Sequence, residues 1–172
     1  MRKIILVLLI CVVLASCIPI KEFFSGETGN VEAVSSEDLE MNAAIQQAQD
    51  TLPLFIAALQ SPTPTQPFFL IKTRFPFGSE NEVEHMWVSD ISYNGTQFEG
   101  VLANEPIFVQ GIHLSDHVVV RIENVSDWMI IDNGRLLGGF TIYVLRSRMT
   151  DSEREQFDND SEYIIGDYPL LP

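Results

Sequence analysis

Two Asn-Gly dipeptides, the first between segments that alternate apolar and polar residues and the second between short apolar segments, constrain the fold of this chain most strongly. An Asn-Gly pair in that setting favours a tight turn between antiparallel strands. The two dipeptides, Asn94-Gly95 and Asn133-Gly134, therefore predict two β-hairpins. The strands that they join are predicted at residues 83–93 with 96–102, and at residues 128–132 with 135–137.

Further elements are predicted on both sides of these hairpins. Apolar and β-branched segments indicate strands at residues 68–75, 107–109 and 117–122. Residues 140–149 are ambiguous, because their β-branched residues favour a strand whereas Ile142 and Leu145 have helical spacing. Thr150 to Glu153 has the pattern of a capping box, which predicts a short helix that ends at Phe157.

Two helices are predicted before the first strand. Ser36 is a candidate N-cap, and apolar residues recur at helical spacing over residues 39–48. Pro53 predicts a break near residues 50–51, followed by a second helix to Leu59. The order of elements along the chain is helices, then closely spaced antiparallel strands, then a helix. This order defines an α+β fold. We expect N-terminal helices packed on a small bent antiparallel sheet or partial barrel, with a C-terminal helix.

The N terminus has the pattern of a bacterial lipoprotein signal peptide. Arg2 and Lys3 precede the uncharged residues 4–15. That apolar segment is shorter than the roughly 20 residues that span a bilayer, and it is typical of the central region of a secretory signal. The sequence Leu14-Ala15-Ser16-Cys17 then resembles the lipobox, in which the cysteine is acylated. An ordinary signal peptide with a chance cysteine is the alternative.

Cleavage at the lipobox would discard Cys11 and leave Cys17 as the one cysteine of the mature chain. That thiol is then expected to carry lipid rather than to form a disulfide. The predicted location is the bacterial cell envelope. If the host is Gram-negative, the predicted location within the envelope is the outer membrane, facing the periplasm, because isoleucine at position 18, and not aspartate, follows the cysteine. The expected organisation is a signal peptide at 1–16, a flexible tether at 17–36, a single α+β domain at 37–158 and an acidic tail at 159–172.

The charge balance limits the possible partners. The chain has 10 basic and 24 acidic residues and a formal net charge of −14. Loss of Arg2 and Lys3 with the signal peptide would make the net charge −16. Such a surface repels nucleic-acid phosphates, so nucleic acid is excluded as a partner. The expected partners are the membrane, through lipidated Cys17, and an unknown envelope protein or small ligand. No cofactor or metal is expected, because His113 and His117 are four residues apart but straddle a turn, and no further histidine or thiol remains to complete a zinc site.

The first hairpin also predicts a register. If Asn94-Gly95 is a two-residue loop, Tyr93 pairs with Thr96. This register places two pairs of carboxylates directly opposite each other, Asp90 with Glu99 and Glu84 with Glu105. Opposed like charges destabilise a sheet unless an arginine, a cation, a shared proton or water relieves them. The pairs are a candidate cation or acid–base site, although solvated strand edges explain them more simply.

Five other residues are candidates for a ligand or partner site. His85 and Trp87 lie two residues apart on one strand and therefore share a face of the sheet. A histidine beside an indole suits a small-ligand pocket, and it equally suits the rim of a core. Asp127 and Trp128 precede the second hairpin, and Arg135 follows its turn. Structural roles for Asp127 and Trp128 are the simpler interpretation.

A resemblance to a known family rests on five motifs in order. They are Glu84-His85-Met86-Trp87-Val88, Phe98-Glu99-Gly100-Val101-Leu102 with Asn104-Glu105-Pro106, Ser126-Asp127-Trp128-Met129, Gly138-Gly139-Phe140-Thr141, and Leu145-Arg146-Ser147-Arg148-Met149. Together they resemble the YegJ-like bacterial family, known as domain of unknown function 2314, over residues 41–158. The resemblance implies a bacterial α+β domain that occurs on exported chains and beside ankyrin repeats. It implies no catalytic residues.

These features favour an uncharacterised, lipid-anchored envelope protein that acts as a non-catalytic binding or interaction module. The alternative is a hydrolase-like enzyme that uses carboxylates of the 84–105 hairpin with His85. Geometry separates the two, because alternation along a strand places Glu84 and His85 on opposite faces. The side chains expected to form the core are Trp87, Trp128, Ile91, Phe98, Leu102, Ile71, Phe55 and Leu59.

Overall fold

The computed structural model describes residues 38–78 and 82–172. They form an α+β fold with three α-helices and an open antiparallel sheet of six strands. The helices are α1 (Leu39–Gln60), α2 (Phe140–Arg148) and α3 (Asp151–Asp160). The strands are β1 (Phe68–Phe77), β2 (Glu82–Tyr93), β3 (Gln97–Leu102), β4 (His117–Arg121), β5 (Val125–Asp132) and β6 (Arg135–Gly138).

The strand order in the sheet is β4-β3-β2-β1-β5-β6, so β1 is central and β4 and β6 are the two edges. The predicted α+β class and C-terminal helix are confirmed. The predicted signal peptide and tether, residues 1–36, lie outside the described residues. No helix in the described parts of the chain combines the length and the apolar character that crossing a bilayer requires.

Helix α1 is one continuous helix, so the predicted break near residues 50–51 is wrong. Pro53 removes one backbone hydrogen bond, and its ring lies on the exposed side of the helix. On the inner side, Ala48, Leu52 and Phe55 are buried both before and after the proline. Burial of this continuous apolar stripe keeps the helix unbroken at Pro53, because tertiary packing outweighs local propensity.

The N-cap of α1 is Asp38 and not the predicted Ser36. The Asp38 carboxylate accepts a hydrogen bond from the backbone N–H of Met41, at 3.0 Å. It also receives two hydrogen bonds from the guanidinium of Arg148 at the end of α2. These interactions with Arg148 and Met41 lower the pKa of Asp38 to about 2. The cap therefore also joins the two helices.

Both faces of the sheet carry apolar clusters. The face that α1 covers, here called the helix face, contains Ile71, Val88, Phe98, Val120, Val125, Trp128 and Ile130. The opposite face contains Leu70, Trp87, Met129, Ile131 and Leu136, which pack with Ile142 of α2 and with Tyr163. Of the predicted core, six side chains are buried. Ile91 and Leu59 are only partly buried against the helix-face cluster.

The β2–β3 hairpin forms as predicted, but its register differs. Asn94 precedes the turn, and its side-chain oxygen accepts hydrogen bonds from the backbone N–H groups of Thr96 and Gln97. The two-residue loop is therefore Gly95-Thr96, and Tyr93 pairs with Phe98. Gly95 has a φ of 101°, as the first central residue of a type II′ turn requires. The side chain of Asn94 thus moves the register by one residue on each strand.

The second hairpin is confirmed, with Asn133 and Gly134 both at positive φ. The ambiguous segment 140–149 is a helix, α2, which starts directly after Gly139. The capping box of α3 is also confirmed. Thr150 and Glu153 exchange the two reciprocal hydrogen bonds, and the helix continues to Asp160, beyond the predicted end.

Candidate functional site

Five polar side chains meet near the sheet face opposite α1, and we call them the polar cluster. They come from four elements: Lys72 on β1, His85 on β2, Ser126 and Asp127 on β5, and Thr141 on α2. Strand pairing places Lys72 opposite Asp127, and an irregularity in the β1–β5 register accommodates Ser126. The polar cluster contains two of the predicted site residues, His85 and Asp127.

Asp127 is fully buried, and both of its carboxylate oxygens accept hydrogen bonds. Oδ1 accepts from the backbone N–H groups of Trp128 at 2.8 Å and Phe140 at 3.1 Å. Oδ2 accepts from the backbone N–H of Thr141 at 2.8 Å and from its hydroxyl at 2.6 Å. Burial raises the pKa of Asp127, while these donors and the charge of Lys72 act in the opposite direction.

These bonds make Asp127 the cap of α2. The N-cap position of that helix is Gly139, which has no side chain to accept from the first N–H groups. The carboxylate from β5 replaces the missing acceptor and places a negative charge at the positive end of the helix. The geometry therefore assigns Asp127 to holding the protein's own backbone.

Trp128 points to the helix face and is fully buried. Its indole N–H donates to the carbonyl oxygen of Ala48, at 3.0 Å, and to the hydroxyl of Thr51, at 3.1 Å. A Cβ at Gly138 would collide with the carbonyl oxygen and the ring of Trp128. The Asp-Trp and Gly-Gly motifs are thus parts of one packed unit that joins α1, β5 and α2.

His85 is partly buried, and its Nδ1 lies 2.8 Å from the hydroxyl oxygen of Ser126. Burial, together with the nearby charges of Lys72 and Arg74, lowers the pKa of His85 to about 4. A serine beside a histidine has the composition of a nucleophile with its base. Ser126 has no exposed surface, however, and the oxygens of Asp127 are used by α2. The pair is therefore a structural contact in this conformation.

Trp87 lies beside the polar cluster and is almost fully buried. The Lys72 ammonium lies 5.1 Å from the centre of the indole, and it donates to the Thr141 hydroxyl at 3.3 Å. The backbone N–H of Trp87 donates to the side-chain oxygen of Asn104, at 2.8 Å. The buried indole is covered rather than presented to a ligand.

Glu84 lies on the helix face, which is the face that His85 does not share. Its buried carboxylate accepts three backbone hydrogen bonds, from Ile107 at 2.8 Å and from Phe108 and Val109 at 3.0 Å each. The predicted strand at residues 107–109 is therefore wrong, because the N–H groups of this segment bind a side chain instead of a neighbouring strand. Glu84 holds a loop and does not meet the imidazole of His85.

The remaining predicted site residues do not come together. Asp90 lies at a bulge in β2 with a φ of 49°, and Ser92 takes the place opposite Glu99. The predicted pairs Asp90 with Glu99 and Glu84 with Glu105 are therefore wrong, because the shifted turn and the bulge change the register. Arg135 and Glu105 are exposed and separate from these groups, and Arg121 pairs with Glu123, at 3.5 Å, rather than with any of these carboxylates. Among the residues described, no group of three or more histidine, cysteine or acidic side chains could hold a metal ion.

Sequence reasoning missed four residues around His85. Lys72 and Arg74 alternate with Ile71 and Thr73 along β1, so the strand period of two was the signal that would have placed both basic side chains on one face. Ser126 and Thr141 gave no such signal. Their contacts depend on an irregularity in β5 and on the start of α2, which local patterns do not reveal.

The two edges of the sheet differ. At β6, residues that follow α3 run alongside the strand. Ile164 exchanges backbone hydrogen bonds with Gly134 and Leu136, and Leu170 accepts one from Gly138. At β4, the only strand partner among the described residues is β3. Within residues 38–78 and 82–172, one edge is therefore covered by the C-terminal segment and the other is not.

Hydrogen bonding defines which groups of β4 point outward. The backbone N–H of Leu102 donates to the carbonyl oxygen of Asp116, so the main chain of Asp116 faces β3. Orientation alternates along an antiparallel strand, so the N–H and C=O groups of His117, Val119 and Arg121 face away from β3. These three residues, here called the open edge, also have exposed side chains, and Val119 is 62% exposed.

The architecture and the site together define a small α+β domain in which buried acidic groups hold backbone segments and one sheet edge stays open. The chain belongs to the bacterial family described as "Uncharacterized protein conserved in bacteria (DUF2314)", whose family model matches residues 38–163. This match and the similarity to the protein YegJ confirm the resemblance inferred from the motifs.

Two relatives illustrate the similarity. A Neisseria meningitidis serogroup B protein, provisionally named as an ankyrin repeat protein, is 34% identical over 137 residues, which cover 73% of this chain and 52% of that protein. The uncharacterized protein YegJ of Escherichia coli K12 is 28% identical over 102 residues, which cover 59% of this chain and 64% of YegJ. The chain thus matches less than two thirds of the length of either relative. No solved structure matches the chain significantly.

Proposed function

We propose that this protein is a non-catalytic binding module of the bacterial cell envelope, anchored through lipid on Cys17, and that it binds an extended segment of a partner protein along the open edge of β4. The observation that carries the binding role is the difference between the sheet edges. The C-terminal segment covers β6, whereas on β4 the outward N–H groups of His117, Val119 and Arg121 and the outward carbonyl groups of His117 and Val119 have no strand partner among the described residues.

An uncovered edge strand is a template for a seventh strand. A partner segment in extended conformation gains main-chain hydrogen bonds along the edge, and its alternate side chains contact the exposed side chains of the strand. Val119 offers apolar contact at the centre of the open edge. Natural sheets usually protect such an edge with proline, lysine or a covering segment, and β4 contains neither proline nor lysine.

Charge indicates the chemistry of the partner. Glu99 on β3 lies directly opposite Val119 and forms no ion pair with a described residue, whereas the charge of Glu123 is paired with Arg121. The net charge of the whole chain is −14. A partner segment that alternates basic and apolar residues fits this edge best, because opposite charges favour encounter and register. A second copy of this acidic chain fits less well for the same reason.

The polar residues support binding more than catalysis. The buried carboxylates of Asp127 and Glu84 are occupied by backbone N–H groups, and the hydroxyl of Ser126 is buried. A hydrolase that combines carboxylates of the 84–105 hairpin with His85 would need these groups in one place, and they lie on different faces and edges. The provisional name of the Neisseria relative fits a binding role, because ankyrin repeats form extended binding surfaces.

The binding role is tested by photocrosslinking in the envelope of the native bacterium. A photoreactive residue replaces Val119 in one variant and Leu54, an exposed residue on α1, in the control. We expect one specific adduct from position 119 and none from position 54. In competition for this adduct, the unlabelled Val119→Pro variant should be at least tenfold less effective than the unlabelled wild-type protein, because proline removes an outward N–H group. Edge strands tolerate proline, so the variant should keep its fold. Equal competition by Val119→Pro would contradict binding along this edge.

The anchor is tested separately. Cys17→Ala should move the protein from the membrane fraction to the soluble fraction or block its processing, and it should abolish incorporation of labelled palmitate. Cys11→Ala is the matched control, because it changes the other cysteine of the chain and should leave both readouts intact. A wild-type protein that is soluble, with its N terminus downstream of Cys17, would refute the anchor but not the binding role.

A further inference from the structure

Two basic side chains lie next to each other on the sheet face opposite α1. Lys72 and Arg74 are two residues apart on β1 and therefore point to the same face. On the neighbouring strand β2, Trp87 lies opposite Lys72 and His85 lies opposite Arg74. The four side chains form a patch on the two central strands, separated from the open edge of β4 by strand β3.

The positive charges of this patch are not compensated locally. The described residues contain seven lysines and arginines, and four of these have ion pairs: Arg121, Arg146, Arg148 and Arg154. Neither Lys72 nor Arg74 forms an ion pair with any described residue, in a chain whose net charge is −14. Asp127 lies opposite Lys72, but its oxygens accept hydrogen bonds from β5 and α2. An acidic protein thus keeps two cations side by side without an ion pair to either from a described residue, and the one carboxylate near Lys72, that of Asp127, is buried and hydrogen-bonded to backbone groups.

The groups around these cations are hydrogen-bond donors or can act as donors. Lys72 uses one of its three N–H donors on Thr141, and the guanidinium of Arg74 is exposed and makes no hydrogen bond to the described residues. His85 is uncharged at neutral pH, because burial and the two cations lower its pKa to about 4. In the tautomer in which Nδ1 accepts from the Ser126 hydroxyl, Nε2 carries a proton and can donate.

We propose that Lys72, Arg74 and His85 form a binding site for the phosphate group of a small soluble ligand. Two uncompensated positive charges match the charge of about −1.5 to −2 on a phosphate monoester better than that of a single carboxylate. Arginine binds phosphate oxygens through its planar fork, and lysine adds a point charge. The site is separate from the open edge, so a test of phosphate binding does not depend on the proposed binding of a partner segment.

The test uses the purified full chain in mild detergent, with inorganic phosphate as the probe. Binding at pH 7 is followed by NMR through the imidazole signals of the three histidines, assigned with single His→Gln variants. We expect a saturable shift of the His85 signal, while His113 and His117 act as internal controls and do not shift. Acetate at the same ionic strength should bind at least tenfold more weakly.

A second measurement uses sulfate, which stays dianionic at acidic pH. A bound dianion favours the protonated imidazole, so the pKa of His85 should rise by about 1 unit. Arg74→Gln and Lys72→Met should each abolish this rise and weaken phosphate binding at least tenfold. Arg121→Gln, which changes an exposed arginine elsewhere, should have no effect. Equal responses of all three histidines, full binding by Arg74→Gln, or equal affinity for acetate would overturn the proposal.

Discussion

The two halves of the sheet use their polar groups in opposite ways. In the closed half, which comprises β1, β5 and β6, every residue from Val125 to Ile131 is buried, and the C-terminal segment covers the edge. In the open half, which comprises β3 and β4, Glu99 and Val119 are exposed and the backbone of β4 faces outward. The closed half satisfies its buried polar groups and its strand edge internally, whereas the open half leaves main-chain groups for another molecule.

This difference separates stability from recognition. Large buried side chains and a fully bonded carboxylate concentrate unfolding free energy in the closed half. Binding elements are typically drawn from regions of lower local stability, and an edge strand with one neighbour fits that description. Changes to the buried residues of the closed half should therefore destabilise the protein, while changes in the open half should alter binding with little effect on stability.

The largest effect is expected for Trp128→Ala in the closed half. The change removes a fully buried indole, its packing against Phe55 and Phe140, and two hydrogen bonds to α1. The free energy of unfolding should fall by about 3–5 kcal/mol, measured by urea denaturation. Val119→Ala in the open half is the control and should change it by less than about 0.5 kcal/mol. Similar losses in both variants would remove the contrast between the halves.

Asp127→Asn tests whether the buried carboxylate caps α2. The amide can accept at one oxygen, but its NH₂ group would face N–H donors instead of accepting from them. We expect a loss of about 3 kcal/mol in unfolding free energy. Asp90→Asn is a matched control at an exposed carboxylate and should be nearly neutral. If Asp127→Asn were as mild as Asp90→Asn, the cap would not be essential.

His85 predicts a specific dependence of stability on pH. Its pKa is about 4 in the folded protein and near 6.5 when unfolded, so the unfolded state binds more protons between these values. The contribution of neutral His85 to the free energy of unfolding is complete above pH 6.5 and is lost as the pH falls to 4. After allowance for partial exposure, the loss should be about 2–3 kcal/mol.

The measurement compares unfolding free energies of wild type, His85→Gln and His117→Gln at pH 7 and pH 4. His85→Gln should lose less stability than wild type on acidification, because glutamine does not titrate. His117→Gln, which changes an exposed histidine, should behave as wild type does. An identical acid response in wild type and His85→Gln would show that the imidazole is not held neutral by its surroundings.

The smallest effect is expected for Glu99→Gln in the open half. The side chain is exposed, its strand neighbour is Ser92, and it accepts one weak hydrogen bond from Gln97, at 3.3 Å. Its removal should change the free energy of unfolding by less than about 0.5 kcal/mol, and millimolar calcium should have no specific effect on the melting temperature. A clear stabilisation by calcium that Glu99→Gln removes would restore the carboxylate-pair hypothesis.

The sequence predicted the fold better than it predicted the contacts of the site. Asn-Gly dipeptides located both hairpins, and alternation supported the first, because turn chemistry and the strand period are local properties. The register of the first hairpin was missed because the Asn94 side chain bonds to the turn and β2 contains a bulge at Asp90. A one-residue difference on each strand was enough to replace the expected carboxylate pair.

Long-range partners explain the other errors. Pro53 alone suggests a broken helix, and only burial of Leu52 and Phe55 against the sheet explains its continuity. Glu84 was considered as an active carboxylate, but its partners lie 23 to 25 residues further along the chain. Local patterns indicated which residues share a face, and they could not indicate which backbone segment a buried acid would hold.

The most direct test of the central claim is amide hydrogen exchange along β4, measured by NMR on the full chain in mild detergent. The probe is an extended peptide of alternating lysine and valine, with a glutamate–valine peptide as the control. We expect the lysine peptide to slow amide exchange at His117, Val119 and Arg121 at least tenfold. Exchange at Val118 and Val120 should not change, because their N–H groups face β3. No protection of the open edge, or equal protection by both peptides, would contradict the proposed binding.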